Sequence, residues 1–141
     1  LFKLESPLAA GDVPGVGGEG WEEAQRWFDA LDRAAGRPWV MLSAGAGMEE
    51  FRNILTHAYR AGASGYLAGR AIWLKAFGAF PDWAAMRKGL ETEACDYMRA
   101  LNDLTDKSAL PWTAHRVYGA KGPHIDPPDA RFRHVYNGFG D

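Results

Sequence analysis

The sequence predicts an α/β fold built on parallel strands, and three observations lead there. Short apolar runs at 1–5, 39–43 and 64–68 each end in small or turn-forming residues. A helix-length segment follows each run. The order strand, small-residue turn, helix, strand is a βαβ unit, and such units make parallel sheets. In these folds ligands sit just beyond the C-terminal ends of the strands. Ser43, Ala44, Gly45, Gly69 and Arg70 therefore belong on one rim. Backbone N–H groups, a helix start and an arginine together suit a phosphate.

The first strand, 1–5, alternates: Phe2 and Leu4 on one face, Lys3 and Glu5 on the other. Pro7 ends it. Two charges on the inner face of a buried strand are costly unless paired or used. Residues 9–20 contain five glycines and Pro14 and read as a mobile loop at the strand's C-terminal end, where active-site loops sit. The spacing predicts a helix over 21–35, with Glu22 and Glu23 in its first turn and a stripe of Ala24, Trp27, Phe28 and Leu31. Gly36 suits its C-cap. The second strand, 39–43, is apolar on both faces, as in a covered parallel sheet.

A second helix is predicted over 48–61, with Phe51, Leu55, Ala58 and Tyr59 inward and Gly62 as its stop. His57 falls between stripe positions and is expected in solvent. The third strand covers 64–68 and a short helix 71–77. Asp82 then caps a helical run to about Leu104, with Trp83, Met86, Leu90, Ala94, Tyr97 and Leu101 at helical spacing. Gly89 is expected to weaken its middle by ~1 kcal/mol relative to Ala. From Leu110 onward Pro111, Gly119, Gly122, Pro123, Pro127 and Pro128 exclude long elements. Trp112, His115, Tyr118, Phe132, His134, Tyr136 and Phe139 make this segment too aromatic for a disordered tail. It is expected to be an extended arm against its own body or a neighbouring subunit, which leaves room for a homo-oligomer. The division is 1–108 for the βα units and 109–141 for the arm.

Composition excludes several functions. With 141 residues, 47% hydrophobic and 24% charged, the chain has the profile of one globular domain. A net charge of −2 gives no electrostatic case for nucleic acid or an anionic membrane. No apolar run approaches the ~20 residues of a membrane span. Cys95 is the sole cysteine, and the start carries no export-signal pattern, so a cytoplasmic location is expected. His57, His115, His124 and His134 lack metal-ligand spacing, so no metal is assigned.

Three motifs carry a resemblance. Phe2-Lys3-Leu4-Glu5-Ser6-Pro7 resembles the x-K-V-E-x-P strand of the class I tagatose-1,6-bisphosphate aldolase family, which includes the sulfofructosephosphate aldolases. Pro38-Trp39-Val40-Met41-Leu42-Ser43-Ala44-Gly45 resembles its seventh strand and phosphate loop. The run from Ala61 to Trp73, through Gly69-Arg70, resembles its eighth strand and second phosphate loop and is close to the sulfosugar branch. The resemblance implies the last three βα units of a (β/α)8 barrel, preceded in the parent by five more. It makes Lys3 the Schiff-base lysine, with Glu5 holding it or assisting proton movement. It makes Ser43, Gly45, Leu67, Gly69 and Arg70 the cradle for the phosphate nearest the keto group. The implied reaction is cleavage of a phosphorylated ketose to dihydroxyacetone phosphate and a three-carbon aldehyde, with no metal or organic cofactor. The acid/base carboxylate and the distal sugar site would lie on earlier strands, so the segment alone is expected to be inactive.

Plainer readings stand beside these. Lys3 could be a strand-end lysine, Glu5 its ion-pair partner, and Ser43 a cap for the next helix. Arg70 could be a surface arginine and Gly69 a backbone requirement. The competing functions are a phosphate-binding barrel without Schiff-base chemistry, such as an isomerase or lyase, and a sugar-phosphate-sensing domain.

Overall fold

The computed structural model describes residues 1–125. Pro127, Pro128, Phe132, His134, Tyr136 and Phe139 lie outside the described residues. Strands β1 (Phe2–Leu4), β2 (Trp39–Leu42) and β3 (Tyr66–Leu67) form one sheet in the order β1-β2-β3. Both pairings are parallel. Phe2, Lys3 and Leu4 stand opposite Trp39, Val40 and Met41, and Met41 and Leu42 stand opposite Tyr66 and Leu67. The strands are shorter than the apolar runs at 1–5 and 64–68 suggest. Ser64 and Gly65 already bond to β2 through backbone groups, Ser64 N–H to the Trp39 carbonyl and the Gly65 carbonyl from Met41 N–H.

The helices are α1 (Trp21–Ala35), α2 (Met48–Ala61), α3 (Arg70–Phe77), α4 (Trp83–Gly89) and α5 (Cys95–Ser108). The predicted ends of the first two hold because the stop signals act as expected. Gly36 and Gly62 adopt left-handed φ of 59° and 108° and close α1 and α2. The long run does begin at Asp82, whose side chain accepts from Ala85 N–H. It reaches Ser108 rather than Leu104, and a π-helical turn at Leu90–Ala94 joins α4 to α5.

Both α1 and α2 cover the same face of the sheet. Leu4, Trp39, Met41 and Tyr66 pack there with Phe28, Phe51, Leu55 and Ala58, and Leu101 of α5 joins the cluster. Three tyrosine hydroxyls tie α5 to this core. Tyr59 pairs with Thr105 Oγ1 at 2.7 Å, Tyr66 donates to Asn102 Oδ1 at 2.7 Å, and Tyr97 donates to the Met48 carbonyl at 2.7 Å. Two expectations of the helix stripes fail. Trp27 stands exposed on α1 and Trp83 on α4. His57 is fully buried rather than solvated. Trp21 and Phe28 of α1 cover its ring, a neighbour that helical periodicity in α2 alone does not reveal.

The described part of the arm is turned rather than extended, with 3-10 turns at Trp112–Ala114 and Arg116–Lys121. It packs on its own body. Leu110 N–H donates to the Ala63 carbonyl, and the Arg116 guanidinium reaches Asp32 Oδ2 at 2.7 Å. Asp32 also accepts from the buried Trp39 indole N–H at 2.9 Å. One carboxylate thus joins α1, the start of β2 and the arm, at the end of the sheet opposite the rim.

Candidate functional site

Successive residues of a strand point to opposite faces, and partners across a parallel pair point the same way. Leu4, Met41 and Tyr66 face the helices. Lys3, Val40, Leu42 and Leu67 therefore occupy the other face. Glu5 follows Lys3 by two residues and continues that face. Lys3, Glu5 and Leu67 are exposed there.

The three strands end together. After β2 the chain turns sharply: Ala44 and Gly45 take positive φ of 48° and 88°, and Ala46 N–H donates back to the Ser43 carbonyl. Ser43 is buried, and its N–H donates to the Leu67 carbonyl at 3.1 Å, which fixes the β2 turn against the β3 end. After β3, Gly69 is the residue before α3, and its carbonyl accepts from Ile72 and Trp73 N–H. Arg70 is the first residue of α3, and its side chain returns over the β2 turn. A Cβ at Gly45 would lie 3.1 Å from Arg70 Nη2. Gly45 thus serves twice: its φ is one that only glycine adopts readily, and its missing side chain admits the guanidinium.

Two cavities meet at this rim. One, of about 380 Å³, is lined by Glu5, Ser6, Leu42, Ser43, Ala44 and Ala46 together with the start of the 9–20 loop. The other, of about 410 Å³, is lined by Gly45, Gly47, Arg70, Ala71 and Lys75 and shares Ala46 with the first. The structure therefore brings Glu5, Ser43 and Ala44 into one cavity and Gly45 and Arg70 into its neighbour. Lys3 lines neither. It lies on the same face as Glu5, one strand repeat of about 7 Å below the cavity wall.

Ser43 does not cap α2. The residue before that helix is Gly47, four positions later, whose N–H is satisfied by Glu50 Oε2 at 2.7 Å. Glu50 is thus a capping residue as well as a charge near the helix start, and the pattern Gly47-x-x-Glu50 was its available sequence signal. Ser6 is a further wall residue missed by sequence reasoning. Its Oγ accepts from Leu8 N–H at 3.3 Å and shapes the entry to the loop.

Glu5 brings a carboxylate to the rim and Arg70 and Lys75 bring cations, with the Lys75 ammonium paired to Glu93 Oε1 at 2.5 Å. Such a site can hold an anion at the β2–β3 end and present a carboxylate at the β1 end. Burial lowers the His57 pKa, Arg60 adds to this, and the Pro14 carbonyl, Asp29 and Glu22 oppose it.

Comparisons with known proteins point to aldolases. Residues 10–75 match the model of a family described as DeoC/LacD family aldolase. The tagatose 1,6-diphosphate aldolase of Streptococcus pneumoniae strain R6 is 35% identical over 95 residues, covering 64% of this chain and 29% of that protein. Tagatose 1,6-diphosphate aldolase 2 of Streptococcus pyogenes serotype M1 is 34% identical over 96 residues, covering 65% of this chain and 29% of its own length. The Streptococcus mutans serotype c protein of the same name is 33% identical over 96 residues. The chain thus spans under a third of the length of these relatives.

Proposed function

We propose that this chain, whose residues 10–75 match the DeoC/LacD family aldolase model, is a member of that family and supplies three strand–helix units of a (β/α)8 barrel that cleaves a phosphorylated ketose through a Schiff base. The sequential order β1-β2-β3 with both helices on one face is the arrangement of a stretch of barrel wall. The face opposite α1 and α2 is then the barrel interior, and Lys3 and Glu5 project into it.

The reading rests above all on the Arg70 guanidinium lying against Gly45 at the rim. That pairing, with the small residues Ser43 and Ala44 before it and Gly69 beside it, suits a phosphate ester. Leu67 supplies the last strand residue before that cradle. A ketose anchored there by its terminal phosphate would direct its keto carbon down the open face toward Lys3. The Lys3 amine adds to that carbon and water leaves, which gives an iminium. Loss of the C4 hydroxyl proton breaks the C3–C4 bond, releases the aldehyde and sends the electron pair into the iminium to form an enamine. Proton uptake and hydrolysis then free dihydroxyacetone phosphate and return the amine. Glu5, on the same face, holds Lys3 or carries a proton. The acid/base carboxylate and the distal sugar contacts come from other strands of the parent. The substrate is of the tagatose-1,6-bisphosphate or sulfofructose-phosphate type, and the cytoplasm is the proposed location.

Borohydride reduction of the full-length parent with a ketose phosphate tests this. The expected outcome is a stable adduct on Lys3, with turnover reduced at least about a thousandfold in Lys3→Ala. Wild-type turnover in that variant overturns the proposal. A specific observation favours a second reading: Lys3 is exposed and lines neither cavity. A sugar-phosphate-binding barrel without Schiff-base chemistry, whether isomerase, lyase or sensor, fits that fact. In that case sugar-phosphate binding survives Lys3→Ala and no adduct forms.

A further inference from the structure

The glycine-rich segment 9–20 borders the first cavity through Ala9 and Ala10, and its path back to α1 crosses a buried side chain. The His57 ring of α2 is sandwiched between Trp21, at 3.8 Å between ring centres, and Phe28, at 5.3 Å. Its Nε2 lies 3.1 Å from the Pro14 carbonyl oxygen, and its Nδ1 lies 3.0 Å from Gln25 Oε1. The orientation of the Gln25 amide is fixed independently. Its Nε2 donates to Asp29 Oδ1 at 2.8 Å and to the His57 carbonyl at 3.2 Å, and both are acceptors. The Gln25 oxygen must therefore face the ring. Both ring nitrogens meet oxygen atoms, and at least one of them must donate.

We infer that His57 is a positioning residue whose Nε2–H donates to the Pro14 carbonyl and latches the 9–20 segment, and with it the β1 wall of the cavity, to α2. The neighbouring anchors explain why one bond matters. Before it, the segment is held by the buried Val13 side chain and the 3-10 turn Ala10–Asp12. After it, residues 15–20 run through glycines, with Gly18 N–H bonded to the Gly15 carbonyl and Trp21 N–H to the Gly18 carbonyl. Pro14 is thus the last of these anchors before a glycine-rich stretch. The charged groups that act on the ring are Arg60 on its own helix and Asp29 and Glu22 on α1. The latch does not depend on the proposed reaction, because it concerns the wall and not the chemistry.

Hydrogen exchange on the full chain tests it. His57→Phe keeps a flat ring between Trp21 and Phe28 and removes every donor. His57→Gln keeps an N–H at similar reach. The expected result is exchange about fivefold faster at Gly18 and Trp21 in the Phe variant, with Leu55 and Tyr59 of α2 unchanged and the Gln variant restored toward wild type. Unchanged loop exchange in the Phe variant, or equal acceleration in α2, overturns the latch. Should the Phe variant not fold, the wild-type ring decides: nitrogen-15 shifts at neutral pH must show a protonated Nε2, and a bare Nε2 overturns it.

Discussion

Gly45 and Arg70 show how a single position couples backbone conformation to anion recognition. A side chain at Gly45 meets two penalties, a φ of 88° and a guanidinium 3.1 Å from the new Cβ. Gly45→Ala is therefore expected to lower stability by about 1 kcal/mol and to displace Arg70. Arg70→Ala leaves the turn intact but removes the charge. Both variants are expected to weaken phosphate-ester binding, Arg70→Ala by about 10- to 100-fold, as read by calorimetric titration of the full-length parent with a ketose phosphate. Binding unchanged in Arg70→Ala would remove Arg70 from the cradle. Residue types at this rim were legible in the sequence because small residues after a strand are rare without a reason. The closeness of Arg70 to Gly45 was not, since they belong to different βα units.

At the scale of elements, Gly89 separates propensity from packing. A mid-helix glycine costs ~1 kcal/mol relative to Ala, so sequence alone predicts that Gly89→Ala stabilises. The structure reverses the sign. A Cβ there would sit 3.0 Å from Ala76 Cβ on α3, and neither atom is the end of a flexible side chain. The helices must part, which costs about 1–3 kcal/mol and exceeds the propensity gain. A lower melting temperature for Gly89→Ala is expected, and a higher one would show that α3 and α4 can separate freely. The same contrast explains His57. Its own helix gives it no partner at stripe spacing, whereas α1 supplies two aromatic faces and Gln25. The helix ends, by contrast, were legible, because Gly36 and Gly62 act locally through their own φ.

For the whole molecule, the attachment of α5 makes stability sensitive to alkali. Burial pushes the Tyr59 and Tyr97 hydroxyls up from 10.0 to about 12, against the opposing pull of Thr105 on Tyr59 and of Arg52 on Tyr97. The folded protein thus keeps protons that the unfolded chain releases above 10. Their contribution is fully present below pH 10 and is lost as pH rises toward about 12. Circular dichroism and tyrosinate absorbance followed together should show unfolding and ionisation rising in step over that window. Tyr97→Phe is expected to cost about 1 kcal/mol at neutral pH, through the lost bond to the Met48 carbonyl, and to narrow the alkaline loss. Tyrosine ionisation with the usual midpoint and no unfolding would contradict this.

Local chemistry settled much before any coordinates. Alternation placed Lys3 and Glu5 on one face, glycines set the ends of α1 and α2, and small residues marked the turns after the strands. Each of these depends on a residue and its near neighbours in the chain, so the sequence contains it directly. Tertiary structure alone decided that Arg70 returns over Gly45, that Asp32 joins Trp39 to the arm, that Gly89 must stay bare and that His57 meets Pro14. Those pairings join distant segments, and their energies arise only when burial removes water and forces each polar group to find a partner.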